Sequence, residues 1–214
     1  MSRVVLVCVA VVAASAPAAA ATLRDARVTV VFGPGGCDVT SRFAIDTAEP
    51  AVVGHRLMVA SRAVPKFVVI GGLAGVAEAI ATSVRLPVSL AGSGRNEYSV
   101  RYHASLADAT DGRCPLLVPD VPTDGVTRSV LITVDVPAGA TALPGGFPAF
   151  AWHNGRGTVT ISHIPSFVRV RYASPGAAIA WRDTLDPARV IDVIAVSTIT
   201  VSTLAWVVLR RRRS

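Results

Sequence analysis

Four histidines, His55, His103, His153 and His163, are the side chains of this chain best suited to ligating a metal or moving a proton. None lies within five residues of another, so the paired spacings of a local metal motif are missing. His103 and His163 fall in strand-like runs and could meet only through the fold. A copper site would also want methionines, and beyond Met1 the chain has only Met58. Nucleophilic catalysis is equally thin. No G-x-S-x-G elbow occurs, and Ser93 sits between Gly92 and Gly94, the composition of a flexible loop. The carboxylate pairs Asp108 with Asp111 and Asp120 with Asp124 lie in polar or proline-rich stretches, where solvated turn acids are the simpler reading. The expectation is a protein that is not an enzyme and needs no metal or cofactor.

The three cysteines are Cys8, Cys37 and Cys114. Cys8 lies in an N-terminal apolar run, which leaves Cys37 and Cys114 as an even pair in what reads as an exported domain, and such a pair favours a disulfide. Closing so long a loop is worth about 4–5 kcal/mol in the chain-entropy model, as an upper figure.

Two apolar stretches invite a binding role. Phe67 to Ala81 (FVVIGGLAGVAEAIA) has the look of a strand entering a glycine-rich βα turn. Gly72 and Gly75 keep the right spacing, but the first glycine of G-x-G-x-x-G falls on Ile70 and no βαβ surroundings exist. Eleven residues without charge, Phe67 to Ala77, are also too few to span a bilayer, so the stretch is expected to be buried core. Cys114 to Asp124 (CPLLVPDVPTD) brackets Leu116, Leu117 and Val118 with prolines. These three are the candidate partner contacts, since a stiff apolar loop docks at low entropic cost. The alternative is a crossover that packs on its own core beside the disulfide. Phe147 to Trp152 (FPAFAW) is an aromatic cluster that suits core or a ligand platform.

The elements that must position these residues are β-strands. Tyr98, Val100 and Tyr102 share one face of Tyr98 to Ala104, and Val130, Ile132, Val134 and Val136 alternate in the same way. Phe147 to Trp152 and Thr158 to Ile164 flank the Asn154-Gly155 turn of a hairpin, and Phe167 to Tyr172 (FVRVRY) alternates again. With glycine and proline punctuating short β-rich runs, the predicted fold is all-β, an immunoglobulin-like antiparallel β-sandwich.

Both ends carry a different signal. Residues 1–21 combine Arg3, an apolar run from Val4 to Ala14 and small residues from Ser15 to Ala21, the pattern of a secretory signal peptide. Residues 190–209 (VIDVIAVSTITVSTLAWVVL) hold one charge, Asp192, and cover roughly 30 Å as a helix, enough to cross a bilayer. Arg210 to Arg213 follow and should stay cytoplasmic in the tail 210–214. Residues 22–172 then form the exported sandwich and 173–189 the juxtamembrane linker. Ala195, Thr198, Ser202 and Ala205 place small side chains on one face of the helix, the candidate surface for a membrane partner helix.

This topology explains the net charge of +7. Arg3 and the four terminal arginines account for five of the 21 basic residues, which leaves 16 against 14 acidic ones in the exported part. Nucleic-acid binding is therefore not expected. The plan resembles that of bacterial envelope accessory proteins, an analogy of architecture that assigns no residue a role. The expected protein is single-pass, anchored in the inner membrane, and binds or assists another envelope protein or membrane complex. The alternative is an exported domain that binds metal or glycan.

Overall fold

Strict in–out alternation sets the first strand: in β1 (Thr22–Gly33) Val28, Val30 and Phe32 are buried while Arg27, Thr29 and Val31 face water. The computed structural model describes residues 21–60, 63–105, 112–124 and 129–173. Residues 1–20 of the expected signal peptide, the 190–209 segment with Ala195, Thr198, Ser202 and Ala205, the expected linker beyond Ala173, the basic tail, and Asp108 and Asp111 lie outside them. No helix among the described residues is long and apolar enough to cross a membrane.

A tight turn at Pro34-Gly35 leads from β1 into β2 (Gly36–Thr47), and Asp46 to Pro50 leads on to β3 (Ala51–Met58). Three short segments follow, β4 (Val68–Ile70), β5 (Leu73–Ala74) and β6 (Glu78–Ile80), then the longer β7 (Ser83–Leu90) and β8 (Gly94–Ser105). The second half supplies β9 (Arg113–Pro115), β10 (Leu117–Pro119), β11 (Val130–Asp135), β12 (Thr141–Phe147), β13 (Ala151–His153), β14 (Arg156–Ile161) and β15 (Phe167–Ala173). The fold is all-β and consists of several sheets with no barrel, consistent with a sandwich. A seven-stranded sheet runs β13-β14-β11-β1-β2-β8-β4, a second runs β10-β3-β7-β5 with β6 also on β7, and a third runs β12-β15-β9. The expected Asn154-Gly155 hairpin forms between β13 and β14, with both residues at positive φ.

One pairing departs from the antiparallel expectation. β11 runs parallel to β1, from Ala26 opposite Val130 to Val31 opposite Asp135. The reason lies in the approach of the chain. Leu23 donates its N–H to Pro122 O, Asp124 donates to Leu23 O, and Ala26 donates to Ser129 O, so the incoming chain is already aligned with the start of β1.

The core gathers the inward faces of all three sheets, with Phe43, Ile45 and Val100 from the first, Leu57, Leu86 and Val88 from the second, and Cys114 and Val168 from the third. Three ties cross between sheets. Cys37 and Cys114 form the disulfide, joining β2 to β9. The Tyr102 hydroxyl donates to Pro115 O at 2.8 Å. The Tyr98 hydroxyl donates to His55 Nε2 at 2.7 Å.

Candidate functional site

Leu116 and Leu117 are fully buried and Val118 is half-buried, so the two leucines pack inward as the crossover alternative expects and are not open to a partner. The chain here steps from one sheet to another: β9 pairs with β15, Leu116 donates its N–H to Ser166 O at 2.9 Å, and β10 pairs with β3. The prolines serve a crossover beside the disulfide, and the leucines fill the core.

The histidines do not converge. His55 on β3 is buried between sheets, donating from Nδ1 to Leu86 O at 3.2 Å and accepting from Tyr98 at Nε2. Burial pushes its pKa down to about 4, so it is a neutral structural imidazole. His103 is the opposite case. Its hydrogen bond from Nδ1 to Asp38 Oδ1 (2.8 Å) raises its pKa, and Nε2 faces Gly35 O at 3.1 Å, so the ring favours the imidazolium that can donate twice. His153 sits at the β13–β14 turn, where its Nε2 accepts from Asn154 at 3.2 Å, and His163 follows β14 beside Ser162. Among the described residues no three His, Cys, Asp or Glu side chains gather as a metal site would require.

The acids are also dispersed. Asp124 pairs with Arg24 at 3.2 Å and Asp120 lies 4.0 Å from Arg56, so the two do not act as a pair. Ser93 lies in the turn before β8, which the Asn96 amide braces through Gly92 O (3.0 Å) and Gly94 O (3.1 Å).

The glycine-rich stretch is surface, which corrects its expected burial. Ile70, Leu73, Val76 and Ile80 are 50%, 73%, 80% and 50% exposed. Its glycines let the backbone lie directly on β7 and β8: a Cβ on Gly72 would come 2.8 Å from Val88 Cγ1, one on Gly75 would come 2.8 Å from Pro87 Cγ, and Gly71 has φ +85°. Close approach to a sheet edge, and not a phosphate, is the purpose of these glycines.

Two of the concavities among the described residues bear on binding. An open apolar groove of about 230 Å³ lies between Met58, Val59, Thr82, Arg113, Pro115 and Phe167, where the second and third sheets meet. The Phe167 ring stacks with half-exposed Phe147 at 5.5 Å, and the Arg113 guanidinium lies 5.5 Å from the Phe167 ring centre. The pairing of Phe147 with Phe167 has no local sequence signal, because it depends on β12 meeting β15. Trp152, the other aromatic of that cluster, instead packs against Phe150 (5.8 Å) and covers Gly157. The second concavity, about 520 Å³, is open and of mixed polar and apolar character. It lies between the Pro137 to Ala140 turn and the β13–β14 turn, with His153, Asn154 and the Asp135–Arg156 ion pair (2.7 Å) at its wall.

No family profile matches the chain, and no curated protein matches it. Among solved structures it is similar to native leukotriene A4 hydrolase from Saccharomyces cerevisiae, at 8% identity and a TM-score of 0.43 over 76% of this chain and 31% of that one. It is also similar to the M1 zinc metallopeptidase of Deinococcus radiodurans, at 15% identity and a TM-score of 0.33 over 71% of this chain and 42% of that one. The chain thus spans less than half the length of these structures. Likeness at this level carries no argument about activity.

Proposed function

We propose that this is a non-enzymatic, single-pass envelope protein, held in a bacterial inner membrane by residues 190–209, whose exported immunoglobulin-like sandwich binds another envelope protein. The observation that supports this reading is the groove around Phe167. It combines the half-buried Phe167 ring, packed beside exposed Phe147, with a methionine and an arginine over the ring face, side chains that dominate protein recognition when a partner desolvates them. Its volume suits one or two partner side chains and is small for a drug-sized ligand. The test places a photo-crosslinking amino acid at Phe147 of the full-length protein in its own membranes, with a matched probe at Thr160 on the far sheet. One discrete adduct at Phe147, absent at Thr160 and lost in the Phe167→Ala, Arg113→Ala variant, supports the reading. Equal labelling at both positions removes it. A parallel sample with 190–209 scrambled tells whether the helix is also a recognition element.

The concavity beside His153, with Asn154 and the Asp135–Arg156 ion pair in its wall, favours a second reading, an exported domain that binds a small ligand such as a glycan. A thermal shift with oligosaccharides, lost on His153→Ala and Asn154→Ala, would support it. No shift across the series would remove it.

A further inference from the structure

The outward side of the five-stranded sheet is built unlike an ordinary solvated face. Its inward residues are Val53, His55 and Leu57 on β3 and Val84, Leu86 and Val88 on β7, all buried. The intervening positions should then be polar. Instead the cross-strand rows read Val52, Ser89, Leu73 at one end and Met58, Ser83, Ile80 at the other, with Gly54 and Pro87 between them. Val52 and Leu73 are two-thirds or more exposed, and Val76, in the edge segment between β5 and β6, is more exposed still. The one charged row, Arg56, Arg85 and Glu78, is joined by Asp120 next to Arg56, so the face carries no net charge.

We propose that this face, led by Leu73 and Val76, lies against the lipid bilayer in which the chain is anchored. The inference rests on the reading above that residues 190–209 span that bilayer. Three observations favour lipid over another occupant. The linker from 174 to 189 is 16 residues long and reaches at most about 55 Å, so the domain is held close to the bilayer surface. The face measures roughly 20 by 15 Å from strand and residue spacings, about 300 Å². A stable protein pair needs about 800 Å² per partner, so the face is too small to hold a protein or a second copy unaided. A tethered domain, however, meets its membrane at high effective concentration, where a weak apolar contact suffices. Finally, the glycine contacts with Val88 and Pro87 hold the 71–75 backbone down on the sheet, so Leu73 projects from an ordered segment that leads directly into Val76, and little entropy is lost on docking. The contact would orient the sandwich on the membrane and fix which side its groove presents to neighbouring proteins.

The test uses the full chain, carrying Cys8→Ala, reconstituted in vesicles of phosphatidylethanolamine and phosphatidylglycerol. Cys37 and Cys114 are paired and buried, so a Val76→Cys thiol takes an environment-sensitive nitrobenzoxadiazole label selectively. Thr158→Cys, on the exposed outer side of the seven-stranded sheet, is the control. The expected result is blue-shifted emission at 76, with most of it quenched by lipids bearing a shallow nitroxide, and neither effect at 158. Adding Leu73→Glu should return the probe at 76 to a water-like spectrum. A water-like spectrum at 76 in protein that floats with the vesicles overturns the proposal and leaves the anchor intact. A blue shift without lipid quenching also overturns it, since protein then covers the face. Protein that fails to float overturns the anchor reading, and this proposal falls with it.

Discussion

His55 and Ser41 are polar groups in the same core with opposite consequences. His55 satisfies both ring nitrogens only while neutral, and burial lowers its pKa from 6.5 to about 4. The unfolded chain therefore binds this proton more readily than the folded one. The resulting stability is complete above pH 6.5 and is lost as the pH falls toward 4, by about 3 kcal/mol at roughly 1.4 kcal/mol per pH unit. Urea denaturation at pH 7.5, 5.5 and 4 should show this loss in the native sequence and a much shallower one in His55→Gln. The His103–Asp38 pair has the opposite sign, since its raised pKa adds stability below pH 6.5 that disappears as pH rises through the folded value. Its side chains are largely exposed, so the solvent-screened contribution is small and His55 dominates the acid limb. Ser41 is fully buried with a hydroxyl that has no hydrogen-bond partner. Removing it relieves a desolvation penalty of about 1 kcal/mol, so Ser41→Ala should leave the denaturation midpoint unchanged or raise it, where most core truncations lower it.

Among the elements, the long alternating strands were legible from sequence and the short ones were not. Tyr98, Val100 and Tyr102 do share the buried face of β8, because period-two alternation over several residues has only one way to meet a core. The stretch from Phe67 to Ile80 defeats that logic. Its apolar run has no alternation, and three pieces of two or three residues each take pairing from a different part of β7 or β8. Composition therefore suggested burial where the fold leaves Leu73 and Val76 outside. The Leu116 to Val118 stretch was legible only as two alternatives, docking loop or crossover, since nothing local shows that its two flanks belong to different sheets. The groove at Phe167 stayed hidden for the same reason: its walls come from segments between Met58 and Phe167 that only the topology brings together. Gly71 offers a direct check on the edge segment. With φ +85° and a Cβ that would fall 2.7 Å from Glu97 O, Gly71→Ala should cost about 1–3 kcal/mol. Limited proteolysis should cut the variant between 71 and 80 sooner than the native chain.

For the molecule as a whole, the Cys37–Cys114 link joins the first and third sheets where local chain connectivity does least. The cysteines are separated by 77 residues, and between them the chain builds every strand of the second sheet but β10 and returns through β8 before β9 pairs with β15. Without the bond, the unfolded ensemble gains the entropy of that open loop, about 4–5 kcal/mol at most. That is comparable with the net stability of a domain of this size, about 5–15 kcal/mol. The remaining ties, Tyr102 to Pro115 and Tyr98 to His55, are neutral hydrogen bonds worth about 1 kcal/mol each and cannot replace it. A Cys37→Ala, Cys114→Ala variant should therefore lose most of its stability at pH 7. The loss should deepen at pH 5, where protonation of His55 in the unfolded chain adds to the same side of the balance. Denaturation curves for native and double-variant protein at both pH values check this. A variant with unchanged stability would mean that sheet packing alone holds the third sheet in place, and that the disulfide contributes no net stability to the fold.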